Sequence, residues 1–168
     1  MKAELARRLV DGLLDCGVNF MSYLPETRLG EIVPLLEDCE GLRLVRTAHE
    51  GTAVSIACGA AFAGMRPAVY MEGTGLYVAT WSLQTIACRS QLPIVLLASY
   101  VGSLEDRRNN YTFAGFGPRI QPLLDTLGIP HHVVDDGNKL EDRIADVVRT
   151  ASATKAPAAL LFTGEFTE

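Results

Sequence analysis

The chain alternates short, strongly apolar segments with longer segments whose apolar residues recur at helical spacing. Most of the short segments are mainly apolar, without strict alternation of apolar and polar residues, and they are bounded by glycine, proline or polar residues, as buried strands are. They lie at residues 18–24, 42–45, 67–71, 92–99, 131–134 and 158–162. Continuously apolar strands are typical of a parallel sheet that is covered on both faces.

The intervening segments have the apolar spacing of helices, as Leu5, Leu9 and Leu13 show before Gly17. The predicted helices lie at residues 5–14, 29–37, 49–63, 76–88, 120–127 and 139–151. Helices between parallel strands supply the right-handed crossovers that such a sheet needs. We therefore expect an α/β fold in which residues 1–168 form a single domain. Its doubly wound, mostly parallel sheet should have about six strands and helices on both faces.

Composition and charge exclude several classes of protein. With 15 basic and 20 acidic residues the net charge is −5, and no basic run is present, so nucleic acid is not an expected partner. Arg7, Arg8 and Asp11 interrupt the stretch that a secretory signal keeps apolar, and no segment has the roughly 20 mainly apolar residues of a membrane span. The four cysteines form no CxxC or Cys/His cluster, which disfavours a metal site. We expect a cytoplasmic protein that holds no metal itself.

Three segments that suggest a site directly follow predicted strands: His49–Glu50, Gly73–Gly75 and residues 100–118. Ligands in open α/β sheets bind beyond the carboxyl ends of the strands, so we expect these segments to gather at one edge. Residues 100–118 are long for a connection in a compact domain, and long loops often carry function. The glycine loop lacks a GxGxxG frame and a Walker lysine. It indicates either a tight turn or close approach of backbone to a flat ligand.

Glu50 opens a predicted helix in which eight of the fourteen residues Gly51–Gly64 are glycine or alanine. An acid in the first turn of a helix is stabilised by the helix dipole by about 0.3–1 kcal/mol, which alone can explain a glutamate there. Each glycine, however, costs about 1 kcal/mol relative to alanine in a helix interior. We infer that a second subunit or a flat ligand comes close to this helix. That neighbour would also keep water from Glu50 and make its carboxyl a usable proton donor and acceptor.

The segment AHEGTAVSIACGAAFAG, residues 48–64, resembles the pyrimidine-binding (Pyr) domain of thiamine-diphosphate enzymes. In that family the catalytic glutamate opens a helix and a glycine follows nine positions later, as Glu50 and Gly59 do here. The "HE" form is found in the acetolactate synthase and 2-oxoacid decarboxylase group. The segment PAVYMEGTGLYVATWSLQTIACRSQLPIVLLAS, residues 67–99, is similar to the strand, glycine loop, helix and Pro-led strand of the family. In length and layout the chain resembles the separate α subunits of sulfopyruvate decarboxylase and the equivalent region of phosphonopyruvate decarboxylase.

The resemblance implies thiamine diphosphate as cofactor and a second kind of subunit. In this superfamily the diphosphate and Mg²⁺ are held by a GDG motif, followed downstream by NN, on a different (PP) domain. This chain contains no GDG. The resemblance therefore implies a separate PP-domain (beta) subunit that carries the motif and holds Mg²⁺. It also implies an active site at the subunit junction and a hetero-oligomer with Pyr–Pyr pairing.

The same resemblance assigns roles to residues. Glu50 would hydrogen-bond N1′ of the aminopyrimidine ring and so activate C2 of the thiazolium to attack the keto carbon of a small 2-oxo acid. Carbon dioxide then leaves because the thiazolium accepts the electrons. His49 would orient the substrate or shuttle a proton. The residues expected to line the ring pocket are Gly73, Thr74, Gly75, and Leu76 or Tyr77.

The identity of the 2-oxo acid stays open at this stage. A sulfonate or phosphonate tail needs guanidinium groups, and the candidates in predicted loops or helix starts are Arg28, Arg107, Arg108 and Arg119. The relatives carry an arginine just after the LLAS-type strand, where this chain has Tyr100-Val101-Gly102, so an uncharged or carboxylated acid remains an alternative. Two other functions also remain: acetolactate- or acyloin-type carboligation with the same cofactor, and a non-catalytic nucleotide-binding or regulatory α/β module.

Overall fold

The structure, a computed structural model, describes residues 1–108 and 112–167. Its six strands are β1 (Phe20–Tyr23), β2 (Arg43–Arg46), β3 (Pro67–Glu72), β4 (Val95–Ser99), β5 (His131–Val134) and β6 (Ala158–Phe162). They form one sheet in the order β2-β1-β3-β4-β6-β5, and every neighbouring pair is parallel. The predicted six-stranded parallel sheet is confirmed.

The helices cover both faces of this sheet. They are α1 (Ala3–Asp15), α2 (Ile32–Glu37), α3 (Glu50–Phe62), α4 (Gly75–Ser82), α5 (Ile120–Thr126) and α6 (Leu140–Thr154). One apolar core lies between the sheet and α1, α2 and α6, and a second lies between the sheet and α3, α4 and α5. This division follows from right-handed crossovers, since connections that run along the sheet in opposite directions must use opposite faces. None of the described helices combines the length and apolar character that crossing a membrane requires.

Helix α3 explains part of its own small-residue content. Ala53 and Ala57 are fully buried in the second core, where they bring the helix close to the sheet. A methyl group on Gly51 would lie 3.1 Å from the His49 ring and 3.2 Å from Ser82 Oγ. The inference that these residues are small because a second molecule approaches is therefore wrong for this side of the helix, where the chain's own packing is the reason.

The structure shifts several predicted boundaries. Gly64 is not in a helix interior: α3 ends at Phe62, and Gly64 follows its C-cap with φ +81°, a left-handed conformation that glycine adopts readily. The predicted helix at residues 76–88 is α-helical only to Ser82 and continues as a π-helical segment, Leu83–Cys88. The predicted strand at residues 92–99 begins only at Val95.

The long connection predicted at residues 100–118 folds back on itself. The backbone of Phe113 leaves no room for a side chain at Gly102 (φ +71°), and the backbone of Gly102 leaves none at Gly117. The Phe113 carbonyl accepts hydrogen bonds from the backbone N–H groups of Phe116 and Gly117, both at 2.9 Å. A short 3₁₀ turn, Gly117–Arg119, leads into α5. Residues 109–111 of this connection lie outside the described residues.

Candidate active site

Glu50 lies where two helices begin side by side. It is the first residue of α3, after His49 in extended conformation, and it is partly buried. A methyl group on Gly75, the first residue of α4, would stand 2.6 Å from Glu50 Cγ and 2.9 Å from its Oε1. Among the described residues the Glu50 carboxylate has no hydrogen-bond or ion-pair partner. An acceptor without a partner is thus held against the glycine loop.

The glycine loop after β3 is fixed by its neighbours. The Gly73 N–H donates to the Ser99 carbonyl at 2.8 Å, and a methyl group on Gly73 would lie 2.8 Å from Ile120 Cδ1. The Thr74 hydroxyl donates to Glu72 Oε1 at 2.6 Å. The loop therefore packs against the end of β4 and the start of α5. Together with the contact between Glu50 and Gly75, this places the first two predicted site segments at one edge of the sheet.

The third predicted segment joins them through a cavity of about 580 Å³. Its described lining residues are Thr74, Tyr77, Phe113, Gly115, Phe116 and Arg119. The Tyr77 hydroxyl donates to the Phe116 carbonyl at 3.0 Å, and the two rings meet edge to face with centroids 6.4 Å apart. Burial raises the pKa of the Tyr77 hydroxyl, an effect that the nearby Arg119 charge opposes. The start of α4 and the loop thus border an open cavity with mainly apolar walls.

The predicted ring-pocket and catalytic residues occupy different environments. His49 is exposed and its ring lies over Gly51. Leu76 is fully buried in the second core, whereas Tyr77 faces the cavity. Of the two neighbours considered for the ring pocket, Tyr77 is therefore the one with an open face.

The predicted arginines are not equivalent in the structure. The Arg28 side chain is only 10% exposed, lies 3.7 Å from Asp106 and stacks over the Phe113 ring at 5.8 Å. Arg107 and Arg108 are exposed, and Arg108 donates to the Thr27 carbonyl at 2.9 Å. Of these cations, Arg119 alone is among the described lining residues of the cavity.

Sequence reasoning missed Phe113 and Phe116. Both lie in the run TFAGFG inside the predicted loop, and both line the cavity. Two phenylalanines three positions apart in a loop at the carboxyl edge of the sheet are a usable signal, since ligand pockets are lined mainly by apolar and aromatic side chains.

A second surface carries exposed apolar groups on α3 and α4. Trp81 is 77% exposed and Phe62 is 68% exposed. Val78 lies three residues before Trp81, and Gly59 lies three residues before Phe62, so each pair shares one face of its helix. Exposed aromatic residues on neighbouring helices indicate a surface that contacts another molecule.

Within the described part of the chain, no group of three or more His, Cys, Asp or Glu side chains is placed to hold a metal ion. All four cysteines are free.

The fold and the site together define a class of protein: a doubly wound α/β domain in which a glutamate at a helix start faces a glycine loop at the carboxyl edge of the sheet. Residues 3–115 match the family model described as thiamine pyrophosphate enzyme, N-terminal TPP binding domain. The chain belongs to this family, and the resemblance to a Pyr domain is confirmed.

Individual relatives agree with this assignment. The chain is 25% identical over 166 residues to the sulfopyruvate decarboxylase subunit alpha of Methanocaldococcus jannaschii, covering 96% of this chain and 94% of that protein. It is 22% identical over 149 residues to the subunit of the same name from Methanococcus maripaludis, covering 89% and 88%. A sulfopyruvate decarboxylase of Methanosarcina acetivorans is 21% identical over 133 residues. That match covers 79% of this chain and 33% of the length of that protein.

A solved structure has the same fold. The 2-oxoglutarate:ferredoxin oxidoreductase from Magnetococcus marinus, with 2-oxoglutarate, coenzyme A and succinyl-CoA bound, superposes with a TM-score of 0.73 at 20% identity. The match covers 99% of this chain and 29% of that one. At this identity the likeness concerns the fold.

Proposed function

We propose that residues 1–168 form a single Pyr-type domain that acts as the alpha subunit of a heteromeric, thiamine-diphosphate-dependent 2-oxoacid decarboxylase. The observation that carries this proposal is the position of Glu50, whose carboxylate lies against Gly75 without a partner among the described residues. The family match to a TPP binding domain and the relatives named sulfopyruvate decarboxylase subunit alpha support it.

The residues at this edge fit the aminopyrimidine half of the cofactor. Glu50 would accept or hold the proton at N1′, as a partly buried acceptor can. Gly75 would leave room for Glu50 beside the flat ring, and the backbone of the Gly73–Gly75 loop would contact that ring. When bound, the cofactor supplies the electron sink for loss of carbon dioxide. His49, exposed beside Glu50, would orient the substrate or move a proton.

The same proposal requires a partner. A PP-domain (beta) subunit with a GDG…NN motif would hold Mg²⁺ and the diphosphate, in a hetero-oligomer that also contains Pyr–Pyr pairs. The exposed Phe62 and Trp81 on α3 and α4 support burial of these helices against a neighbouring subunit. We propose a cytoplasmic location, which the four free cysteines support.

Calorimetric titration with thiamine diphosphate and Mg²⁺ tests the shared site. The isolated chain should bind the cofactor weakly, and tight binding should appear only when the GDG-bearing subunit from a neighbouring reading frame is added. Tight binding by the isolated chain would contradict a site divided between two subunits. The variant Glu37→Gln, at an exposed position on α2, should give the same titration as the unmodified chain. It is the matched control for substitution of Glu50 by glutamine.

A further inference from the structure

The cavity beside the glycine loop has the size of a small-molecule site. Its volume of about 580 Å³ falls within the roughly 300–1,000 Å³ that such sites occupy. Thr74, the residue before the Gly75 that Glu50 contacts, is one of its lining residues. A group that reacts near Glu50 can therefore extend a substituent into this space.

The walls of the cavity are mostly carbon and are held in place. The rings of Tyr77, Phe113 and Phe116 provide most of the described lining. The hydroxyl proton of Tyr77 is used in its hydrogen bond to the Phe116 carbonyl, so this group links the loop to α4 and has no proton left to donate to an anionic ligand. The buried Arg28 guanidinium packs over the Phe113 ring, 5.8 Å from its centroid.

The only cation among the described lining residues is Arg119. Its guanidinium donates to the Gly115 carbonyl, which turns the side chain along the loop and leaves further N–H groups without partners in the described residues. A planar guanidinium pairs well with one planar carboxylate. Arg28 is engaged with Asp106, and Arg108 is engaged with Thr27 and Glu31.

A second anionic group would therefore be poorly accommodated. A sulfonate or phosphonate tail in the cavity would meet mainly aromatic carbon, and the described lining residues include no second cation to pair with it. An apolar tail loses little by transfer into the cavity and gains contact with three rings.

We propose that the cavity selects a 2-oxo acid with a single carboxylate and an apolar aromatic or branched tail, the tail packing on Tyr77, Phe113 and Phe116 and the carboxylate pairing with Arg119. The substrate would then differ from the doubly anionic acid in the names of the relatives. This inference rests on the proposed function for the reaction but concerns a space built by this chain's own residues.

Binding to the chain of residues 1–168 tests the inference without turnover. In ¹H–¹⁵N spectra, phenylpyruvate should shift the amide signals of Thr74, Gly115 and Phe116, and it should bind about tenfold more tightly than sulfopyruvate. Arg119→Gln should weaken phenylpyruvate about tenfold, and Phe116→Ala about fivefold. Leu104→Ala, at a 94% exposed position outside the lining, is the control and should change nothing. If Phe116→Ala unfolds the chain, Phe116→Leu replaces it.

Two outcomes overturn the inference: sulfopyruvate binding as tightly as phenylpyruvate, or shifts confined to other parts of the chain. Turnover by the assembled enzyme separates it from the proposed function. Preferred decarboxylation of sulfopyruvate would remove the inference and keep the function. Phenylpyruvate bound in the cavity, with no 2-oxo acid decarboxylated by the assembly, would remove the function and keep the cavity's selectivity.

Discussion

The Glu50 carboxylate has room at the start of α4 only because residue 75 is a glycine: a methyl group there would stand 2.6 Å from Glu50 Cγ. The two residues start neighbouring helices on the same face of the sheet. Parallel strands place such helix starts at one edge, so the acceptor and the buried glycine of the loop meet there. This pairing is the part of the site on which the proposed chemistry depends.

Substitution Gly75→Ala should displace Glu50 while the fold is retained. The added methyl group overlaps the Glu50 side chain, and a displacement of about 1 Å in a catalytic group can cost about 100-fold in rate. We expect a loss of this size in carbon dioxide release by the assembled enzyme, with an unchanged far-ultraviolet circular dichroism spectrum.

Gly59→Ala is the matched control for the stability of helix glycines. Beyond its own stretch of helix, a methyl group on Gly59 meets no atom of the described residues within 4 Å, so the substitution should stabilise the isolated chain by up to about 1 kcal/mol. Urea unfolding measures this change.

For the Gly75→Ala enzyme, full turnover would contradict the prediction, because it would show that the contact between residue 75 and Glu50 is unimportant.

Trp81 reports on the exposed faces of α3 and α4. It is the single tryptophan of the chain and is 77% exposed, so its fluorescence should shift to shorter wavelength when the partner subunit buries it. Trp81→Ala should weaken assembly by about 30-fold, since a buried interface tryptophan contributes about 2 kcal/mol or more. Analytical ultracentrifugation measures the association.

Arg149→Ala, on α6 at the opposite face of the sheet, is the control for Trp81→Ala. It should leave assembly unaffected. An unchanged emission spectrum on assembly would place the subunit contact elsewhere.

The fold was predictable because periodicity and strand composition report directly on burial. Continuously apolar strands such as Leu96–Ala98 are covered on both faces, as predicted. The sequence does not show why a residue is small: Ala53 and Ala57 serve the chain's own core, while Gly64 serves a turn after the helix. Packing partners far apart in sequence decide between these reasons.

The buried pair between Arg28 and Asp106 should stabilise the 100–118 connection. The Asp106 side chain is fully buried, accepts hydrogen bonds from the N–H groups of Gly102 at 2.8 Å and Arg108 at 3.2 Å, and lies 3.7 Å from Arg28. Asp106→Asn leaves the guanidinium without its counter-charge, and breaking a buried pair in this way costs about 3–5 kcal/mol. Urea unfolding should show a decrease in the free energy of unfolding of this size.

Glu141→Gln supplies the comparison. Its partner Arg8 lies 2.7 Å away on an exposed part of the surface, and exposed pairs contribute at most about 1 kcal/mol. Equal losses in the two variants would mean that the Arg28–Asp106 pair has no special role in the loop.

The candidate site was predictable where a short motif fixes both residue type and position, as for Glu50 and the Gly73–Gly75 loop. It was less predictable where long-range folding decides. Arg28 and Arg119 look alike as loop arginines in the sequence, yet one is buried against Asp106 and the other lines the cavity. Only the path of the 100–118 connection distinguishes them.

Turnover by the Glu50→Gln enzyme tests the central claim most directly. With the partner subunit, thiamine diphosphate and Mg²⁺ present, we expect carbon dioxide release to fall by at least about 100-fold, while assembly and cofactor binding persist and Glu37→Gln retains full activity. Release by Glu50→Gln close to that of the unmodified enzyme would contradict the claim and leave this chain as a non-catalytic module.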